Sequence, residues 1–464
     1  MSSQTHQSSP HKPQWSSPTP TEAGDVRMDA PLRIVDINNF FSATGGGVRR
    51  YHLEKLEAWS VDPRLEYHVI VPSDRAATER YGRATIHHMR AASALGSGYR
   101  VIANPLRLRA LLKQIQPDVV EVGSPYLLPD LVRYATRGLN CALVGFWHAH
   151  YPIAYVRRPL GRMRMPTFAS AAERLAWWWA RRTYGRFDAT FAAAATVQNQ
   201  LHREGVEQVS YAPLGVDLGL FRPTRRDRKL RTSWGATDQD VVMAFPHRLC
   251  EEKNLGTFIE AYERVRATHD GDVYLVIAGR GPEEQRVIDL SERYPGQVHY
   301  LGFLPRRDDM ARLLASVDVV AALSPTETFG LSAAEAMAAG NAIIGSEELS
   351  IGEMLTQSRA GFAVPDRDAQ AIALAWLELL SPGRAQLLGA RAHSYATQHF
   401  CWNQTFESML KVYSKASENR QRHAFAQARG EWGAGVATLL DQDRQKERRP
   451  DPDVQKTGRS GVSA

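Results

Sequence analysis

Ser324-Pro325-Thr326-Glu327-Thr328-Phe329-Gly330-Leu331-Ser332-Ala333-Ala334-Glu335-Ala336-Met337-Ala338-Ala339-Gly340 follows an apolar run from Val317 to Leu323, and its reading decides the fold. The apolar run has the length and composition of a strand buried on both faces of a parallel sheet. Ser324-Pro325 supplies turn chemistry, and Gly340 is the residue expected just past a helix end. Between them, Leu331 to Ala339 spells a short alanine-rich helix carrying one carboxylate, Glu335, with a second, Glu327, in the loop before it. At helical spacing Leu331, Ala334, Glu335 and Ala338 share one face. A carboxylate on such a face needs a partner, because burying it unpaired is costly. Phe329-Gly330 opens a helix whose first amides are unpaired and whose dipole favours negative charge, so Phe329, Gly330 and Leu331 suit a phosphate. Both glutamates would then lie near the hydroxyls of a sugar or ribose. The other reading is a buried helix whose Glu335 points to solvent.

At 464 residues the chain has room for two or three domains, and its 43% apolar and 23% charged content is ordinary for a soluble globular protein. Cys141, Cys250 and Cys401 are odd in number and far apart, which argues against a disulfide framework or a zinc site and fits a reducing cytosol. No run approaches the length of a membrane span, and the N-terminus lacks a positive region followed by an apolar core. The expectation is a cytoplasmic protein, with the inner face of the membrane as an alternative address. The net charge of +7 leaves nucleic acid, a membrane surface or a phosphorylated substrate as partners. No zinc-finger, RNP-type or helix-turn-helix signature supports nucleic acid.

Residues 1–30 are Ser, Gln, Pro, His and Thr with little to bury, and are expected to be disordered. Leu32 to Ile37 reads as a strand and runs into Thr44-Gly45-Gly46-Gly47-Val48-Arg49-Arg50, after which Tyr51, Leu53, Leu56 and Trp59 make the apolar stripe of a helix. Strand, triple glycine and helix let a backbone come close to a ligand, although the spacing is not G-x-G-x-x-G; a merely flexible loop is the alternative. Further strands at Tyr67–Val71, Val119–Val122, Ala142–Phe146 and Ala189–Ala193 alternate with helices at Pro105–Ile115 and Leu127–Arg137. Such alternation means a doubly wound parallel sheet, whose ligands gather beyond the C-terminal strand ends. Gly123-Ser124-Pro125-Tyr126 and Trp147-His148-Ala149-His150 sit at such ends, and His148 is a candidate for contacting a substrate hydroxyl. Arg157, Arg158, Arg162, Arg164, Arg181 and Arg182 surround Trp177-Trp178-Trp179. Arginine with tryptophan suits a membrane surface, but three consecutive tryptophans cannot share a face, so at least one packs inward.

Residues 213–240 read as an interdomain linker. A second alternation follows, with strands at Val241–Phe245, Val273–Ala278, Val298–Leu301, Val317–Ala321 and Ala342–Gly345. Between its first strand and helix lies His247-Arg248-Leu249-Cys250-Glu251-Glu252-Lys253-Asn254-Leu255. Arg248 and Lys253 bring two cations to the cleft that holds the Phe329-Gly330 amides, enough to neutralise a diphosphate without a metal. Gly279-Arg280-Gly281-Pro282 leaves room for a nucleotide beside the backbone, and Phe303 could line a base pocket. Trp402, Phe406, Met409, Leu410 and Tyr413 repeat at helical spacing, and the apolar pattern fades beyond Ala416. The divisions are a tail at 1–30, a first domain at 31–212, the linker at 213–240, a second domain at 241–385, C-terminal crossover helices at 386–416 and a mostly disordered tail at 417–464.

From Leu32 to Lys415 the chain resembles the retaining glycosyltransferases of family 4, whose GT-B fold sets two Rossmann-like doubly wound domains face to face. The resemblance rests on the Glu-x7-Glu pair Glu327 and Glu335, and on the R-x4-K pair Arg248 and Lys253. Gly45, Gly46, Gly47 and Arg49 match the glycine loop, His148 the strand-end histidine, and Pro213, Gly215, Val216, Asp217 and Phe221 the post-linker pattern. It implies a nucleotide-sugar donor on the second domain, an acceptor on the first, and a last helix crossing back. Arg248 and Lys253 would hold the diphosphate, Glu327 the transferred sugar, Glu335 the ribose and His148 the reacting centre. Gly45, Gly46, Gly47, Arg49, Gly279, Gly281, Phe303, Thr328, Phe329, Gly330 and Leu331 would complete the donor site. Ser346-Glu347-Glu348-Leu349-Ser350 departs from the family's usual glycine-containing turn.

The function expected from the resemblance is metal-independent transfer of a hexose, from a GDP-mannose or UDP-glucose type of donor, with an α-glycosidic product. No cofactor is expected beyond the co-substrate. The acceptor is a glycan, a lipid or a small molecule, and peripheral membrane association goes with the Arg/Trp segment. A nucleotide-sugar epimerase and an inactive nucleotide-sugar-binding partner subunit are the alternatives; the second would lack some of Arg248, Lys253, Glu327 and Glu335, and all four are present.

Overall fold

The computed structural model describes residues 30–41, 46–93, 100–163 and 165–447. The N-terminal tail up to residue 29, Gly45 of the glycine loop and residues 448–464 lie outside the described residues.

Two sheets organise the chain. The first is built from β1 (Leu32–Ile37), β2 (Leu65–Ser73), β3 (Ala77–Tyr81) and β4 (Ala84–Arg90), with a separate small pair, β5 (Ala92–Ser93) and β6 (Arg100–Val101), following in sequence. It continues through β7 (Val119–Val122), β8 (Ala142–Phe146), β9 (Ala189–Ala192) and β10 (Val209–Tyr211). The order across it is β10-β9-β8-β7-β1-β2-β4-β3, parallel throughout except for β3 against β4. Ile34 on the central strand faces Tyr67 on one side and Val119 on the other. The second sheet takes β11 (Val242–Phe245), β12 (Tyr274–Ile277), β13 (Val298–Tyr300), β14 (Val319–Ala322), β15 (Ala342–Ser346) and β16 (Gly361–Val364) in the order β13-β12-β11-β14-β15-β16, all parallel. Every residue of β11, β12, β14 and β15 is buried, as expected of apolar strands covered by helices on both faces. Strand order reverses between β1 and β7 and between β11 and β14, so the crevices for ligands open beyond the C-terminal ends of those pairs.

The last helix crosses back to the first sheet. Cys401 bridges Val216, and Trp402, Phe406, Met409 and Tyr413 are buried in one core with residues of β2, β8 and β9. Phe406 stands edge-on to Trp59 at 5.7 Å, and Tyr413 edge-on to Phe191 at 5.4 Å. Trp402 lies so close to Gly215 that a Cβ there would sit 2.5 Å from its ring, which excludes any larger residue. This helix runs from Trp402 to Glu447, beyond Ala416 where the apolar pattern of the sequence fades. The stretch after Glu418 is rich in Arg, Gln and Ala, residues that favour an exposed helix as readily as a coil.

A departure from the sequence reading lies inside the first domain. The helix Gly47–Trp59 buries not only Tyr51, Leu56 and Trp59 but also His52, Glu54 and Lys55. The Lys55 ammonium is fully buried 2.9 Å from Asp36 and 3.2 Å from Glu121, and donates to the hydroxyls of Tyr51 and Tyr413 at 2.9 Å each. Tyr51 donates to Glu121 at 2.8 Å and Tyr67 to Asp36 at 2.5 Å, and Tyr413 makes a close hydrogen bond to the other oxygen of Glu121. One cation between two carboxylates splits their behaviour. Burial pushes Asp36 up, but Lys55 and His52 together hold it well below the usual carboxylate range. Burial and the charge on Asp36 push Glu121 up to about 7.

Candidate functional site

The cleft is assembled from loops at the reversal points of the two sheets. After β14 the chain turns through Ser324 to Gly330 and enters the helix Leu331–Ala338. Gly330 takes φ +83°, and a Cβ on it would lie 2.3 Å from Ile351 Cδ1, so glycine is required there. No side chain caps this helix, which leaves its leading amides for an anion. The Phe329 ring is buried edge-on to Phe400 at 5.3 Å, so Phe329 offers the cleft its backbone and not its side chain.

Facing this loop is the turn between β11 and the helix Leu255–Thr268. Asn254, at φ +57°, donates its side-chain amide to the Leu323 carbonyl and to Asp366, both at 2.8 Å. That clasp fixes the neighbouring Lys253, whose ammonium makes a close ion pair with Glu327. Burial lowers the Lys253 pKa, yet Glu327 and Glu252 raise it above its ordinary value. Burial raises that of Glu327, but Lys253 and His247 hold the carboxyl below its usual range. Both groups are therefore charged at neutral pH. Ser350 donates to the Glu327 carbonyl at 2.8 Å, so the acid-bearing 346–350 segment supports the loop from behind while Glu347 and Glu348 stay exposed. Arg248 is the exception among the predicted cations: its side chain is 65% exposed and turns toward Glu252 at 3.3 Å.

The glycines at 279 and 281 do something other than make room for a nucleotide. A Cβ on Gly279, at φ +145°, would lie 1.9 Å from the His247 carbonyl, and one on Gly281 would lie 2.2 Å from that of Leu249. They let the turn after β12 press against the Arg248 loop, which Leu249 and Arg280 then join by a 3.0 Å hydrogen bond. Gly279→Ala is therefore expected to destabilise the second domain by roughly 2–3 kcal/mol, since both the backbone conformation and the contact forbid a side chain. A urea titration followed by tryptophan fluorescence would show the lower midpoint, and an unchanged midpoint would contradict the packing role. Phe303 lies beyond β13, 60% exposed.

From the first domain come the glycine loop and His148. Gly46 precedes the helix Gly47–Trp59, and a Cβ on Gly47 would sit 3.9 Å from Leu331 Cδ2, so the two helix starts approach each other. Arg49 lies 5.8 Å from the Phe41 ring. Thr328 donates its hydroxyl to the His148 carbonyl at 2.8 Å, a direct link between the loops of the two sheets. The His148 ring stacks on Phe146 at 4.0 Å and stands 5.2 Å from Tyr51, with its Nε2 buried and unpartnered. Burial and the neighbouring His52 push its pKa well down, so the imidazole is neutral. His150, by contrast, bonds Gln200 at 2.7 Å among Trp147 and Trp177, which makes it a packing residue.

Glu335 does not point to solvent. Its carboxylate lies 3.7 Å from Arg307, which also reaches Asp217 at 3.4 Å and Glu54 of the first domain at 3.8 Å. Burial, against the pull of Arg307 and Arg50, raises the Glu335 carboxyl to about 7. Arg307 escaped the sequence reading because its partners are scattered along the chain; the one local signal was its place just beyond Gly302-Phe303-Leu304. His247 was missed too: its Nε2–H donates to the Ala321 carbonyl at 2.6 Å, and burial and Lys253 push it to about 4. Among the described residues no group of three or more His, Cys, Asp and Glu side chains could hold a metal ion.

The family described as glycosyl transferases group 1 matches residues 226–394, and Glycosyltransferase Family 4 matches residues 45–220. A GDP-mannose-dependent alpha-(1-6)-phosphatidylinositol dimannoside mannosyltransferase of Mycobacterium tuberculosis is 30% identical over 392 residues, 82% of this chain and 95% of that protein. The chain is a family 4 glycosyltransferase. A GDP-mannose-dependent alpha-mannosyltransferase of Corynebacterium glutamicum is 25% identical over 323 residues, 68% of this chain and 72% of that protein. The sucrose-phosphate synthase of Thermosynechococcus elongatus shares the fold at a TM-score of 0.65 and 18% identity, covering 83% of this chain and 98% of that one. The glycosyltransferase thus has the GT-B architecture of two Rossmann-like domains.

Proposed function

We propose that this glycosyltransferase moves mannose from GDP-mannose to a hydroxyl acceptor with retention of the anomeric configuration. The Lys253–Glu327 pair carries the reading: a fixed cation and a fixed carboxylate lie side by side at the uncapped start of the Leu331–Ala338 helix. In this reading Lys253, Arg248 and the helix-start amides take the charge that develops on the departing diphosphate, with no bound metal or cofactor required. Glu327 accepts hydroxyl hydrogen bonds from the sugar, Glu335 from the ribose, and neutral His148 borders the reacting carbon. Gly46, Gly47 and Arg49 close over the donor from the first domain, which excludes water from an oxocarbenium-like state. The names of both mannosyltransferase relatives favour GDP-mannose over UDP-glucose.

A lipid-borne acceptor is supported by the helix Pro166–Tyr184. It packs Ala169, Ala176, Trp177, Ala180 and Tyr184 inward and leaves Phe168, Leu175 and Trp178 exposed beside Arg174, Arg181 and Arg182. Apolar side chains edged by arginine suit an acidic membrane surface. No helix among the described residues is long and apolar enough to cross a membrane.

Titrating GDP-mannose and UDP-glucose separately into the protein, in buffer containing a chelator, tests the donor assignment. Saturable binding of GDP-mannose that Lys253→Ala weakens without abolishing is expected; preference for UDP-glucose would overturn the assignment. The same titration carries a pH prediction. In the free protein Glu335 keeps its proton up to about pH 7, whereas ribose hydroxyls favour the carboxylate. Binding then releases a proton, and GDP-mannose affinity should rise about tenfold from pH 6 to pH 8. Glu335→Gln should flatten that dependence, and an equally steep profile in the variant would remove Glu335 from the ribose.

A further inference from the structure

At the opposite end of the second sheet from the cleft, beside the start of edge strand β16, lies a cavity of about 320 Å³. Arg359, Arg384 and Arg391 line it together with Leu355, Thr356 and Leu388, and no acidic residue does. Arg384 is held in place: it donates to Glu378 at 2.7 Å and lies 5.8 Å from the Phe362 ring, while its Nε is buried without a partner. Arg391 reaches back to the Arg359 carbonyl at 3.5 Å. Arg359 itself ends the helix Leu349–Ser358 in the left-handed conformation, at φ +51°, where glycine or asparagine is the usual residue. A side chain in that conformation costs free energy, and here the side chain kept at that cost is a third like charge beside the cavity. Glu378 compensates Arg384 from outside the hollow, which leaves Arg359 and Arg391 as the charges that favour an anion there, and the planar forks of all three match phosphate oxygens.

We propose that this cavity is a second anion site, separate from the cleft, that takes a small phosphate monoester such as a hexose phosphate. Its volume is at the lower end of small-molecule pockets, which suits a compact ligand. The floor formed by Leu355 and Leu388 accepts the less polar face of a sugar ring, and the Thr356 hydroxyl a ring hydroxyl. The site does not depend on the donor assigned above, because no residue is shared with the cleft.

Calorimetric titration of the full chain with glucose 6-phosphate tests it, using three proteins in parallel. Wild type and Arg248→Ala/Lys253→Ala should bind alike in the submillimolar range, because the cleft cations are not involved. Arg359→Gly/Arg391→Ala should bind at least tenfold more weakly. Arg359→Gly alone guards against misfolding: relief of the left-handed strain should hold or raise its melting temperature while its affinity falls severalfold. Loss of binding in the cleft variant with retention in the cavity variant would assign the heat to the donor site and overturn the proposal. Absence of binding would do so as well, and so would sulfate matching glucose 6-phosphate at equal ionic strength, which indicates adventitious anion binding only.

Discussion

Lys253→Ala is expected to lower kcat by roughly a hundredfold to a thousandfold, the loss that follows removal of one preorganised donor from developing negative charge. The expectation comes from the pairing with Glu327. In the free enzyme Lys253 is neutralised by that carboxylate, so its full charge becomes available only as negative charge grows on the leaving group. Lys253→Arg should recover little, since a planar fork cannot occupy the place of a compact ammonium paired with Glu327. Stability should change as well. Glu327 held below the usual range contributes stability above its unfolded pKa that is lost as pH falls. Without Lys253, burial acts on Glu327 unopposed and raises its pKa, so that acid-side loss should shrink. Both partners keep some solvent contact, with side chains 19% and 27% exposed. The cost of breaking the pair at neutral pH is therefore about 1–2 kcal/mol, below that of a fully buried one. Steady-state kinetics beside thermal melts at pH 5 and pH 7.5 separates the effects. A kcat within fivefold of wild type would mean that Lys253 does not face the leaving group.

The largest loss of stability is expected from Lys55→Met. Met fits the aliphatic volume but leaves Asp36 and Glu121 buried with no cation between them. Removing one member of a fully buried ionic cluster costs about 3–5 kcal/mol, which for domains of this size lowers the melting temperature by about 10 °C. Much of that cost is the charge left behind. The triple variant Lys55→Met, Asp36→Asn, Glu121→Gln should therefore be more stable than Lys55→Met alone, although it has lost more ionic contacts. Differential scanning fluorimetry of the two variants decides the matter; a triple variant no better than the single one would mean that the tyrosine hydroxyls, not the charges, hold the cluster together.

The sequence made the central strands legible because each is a short apolar run, buried on both faces and bounded by turn residues: β1, β7 and β8 appear with the bounds read from their sequences. β3 and β4 were missed because Thr78, Glu79, Arg80 and His87 belong to a polar sheet margin with no apolar run. β10 and β16, at sheet edges, are too short for a periodic signal. In the cleft, side chains within one loop and helix could be placed from local spacing, as Glu327 and Glu335 were. Lys55 and Arg307 could not, because each is defined by partners scattered along the chain that only the fold brings together. A polar residue on an apparent helix flank reads as solvated until the opposing element is known. For Lys55 that element is Tyr413, on the last helix.

That dependence on Tyr413 has a consequence for how the protein is made. Tyr413 closes its hydrogen bond to Glu121 across 292 residues, so the first domain leaves the ribosome with its ionic centre open and Trp59 lacking its Phe406 neighbour. At ordinary translation speeds the gap lasts roughly 15–60 s. During that interval the second domain can fold on its own sheet, while the first waits as an incomplete intermediate with apolar surface exposed to chaperones. A chain interrupted between the second domain and the last helix would be left with one finished half and one that cannot finish, and the order of synthesis runs opposite to the order in which the two halves mature.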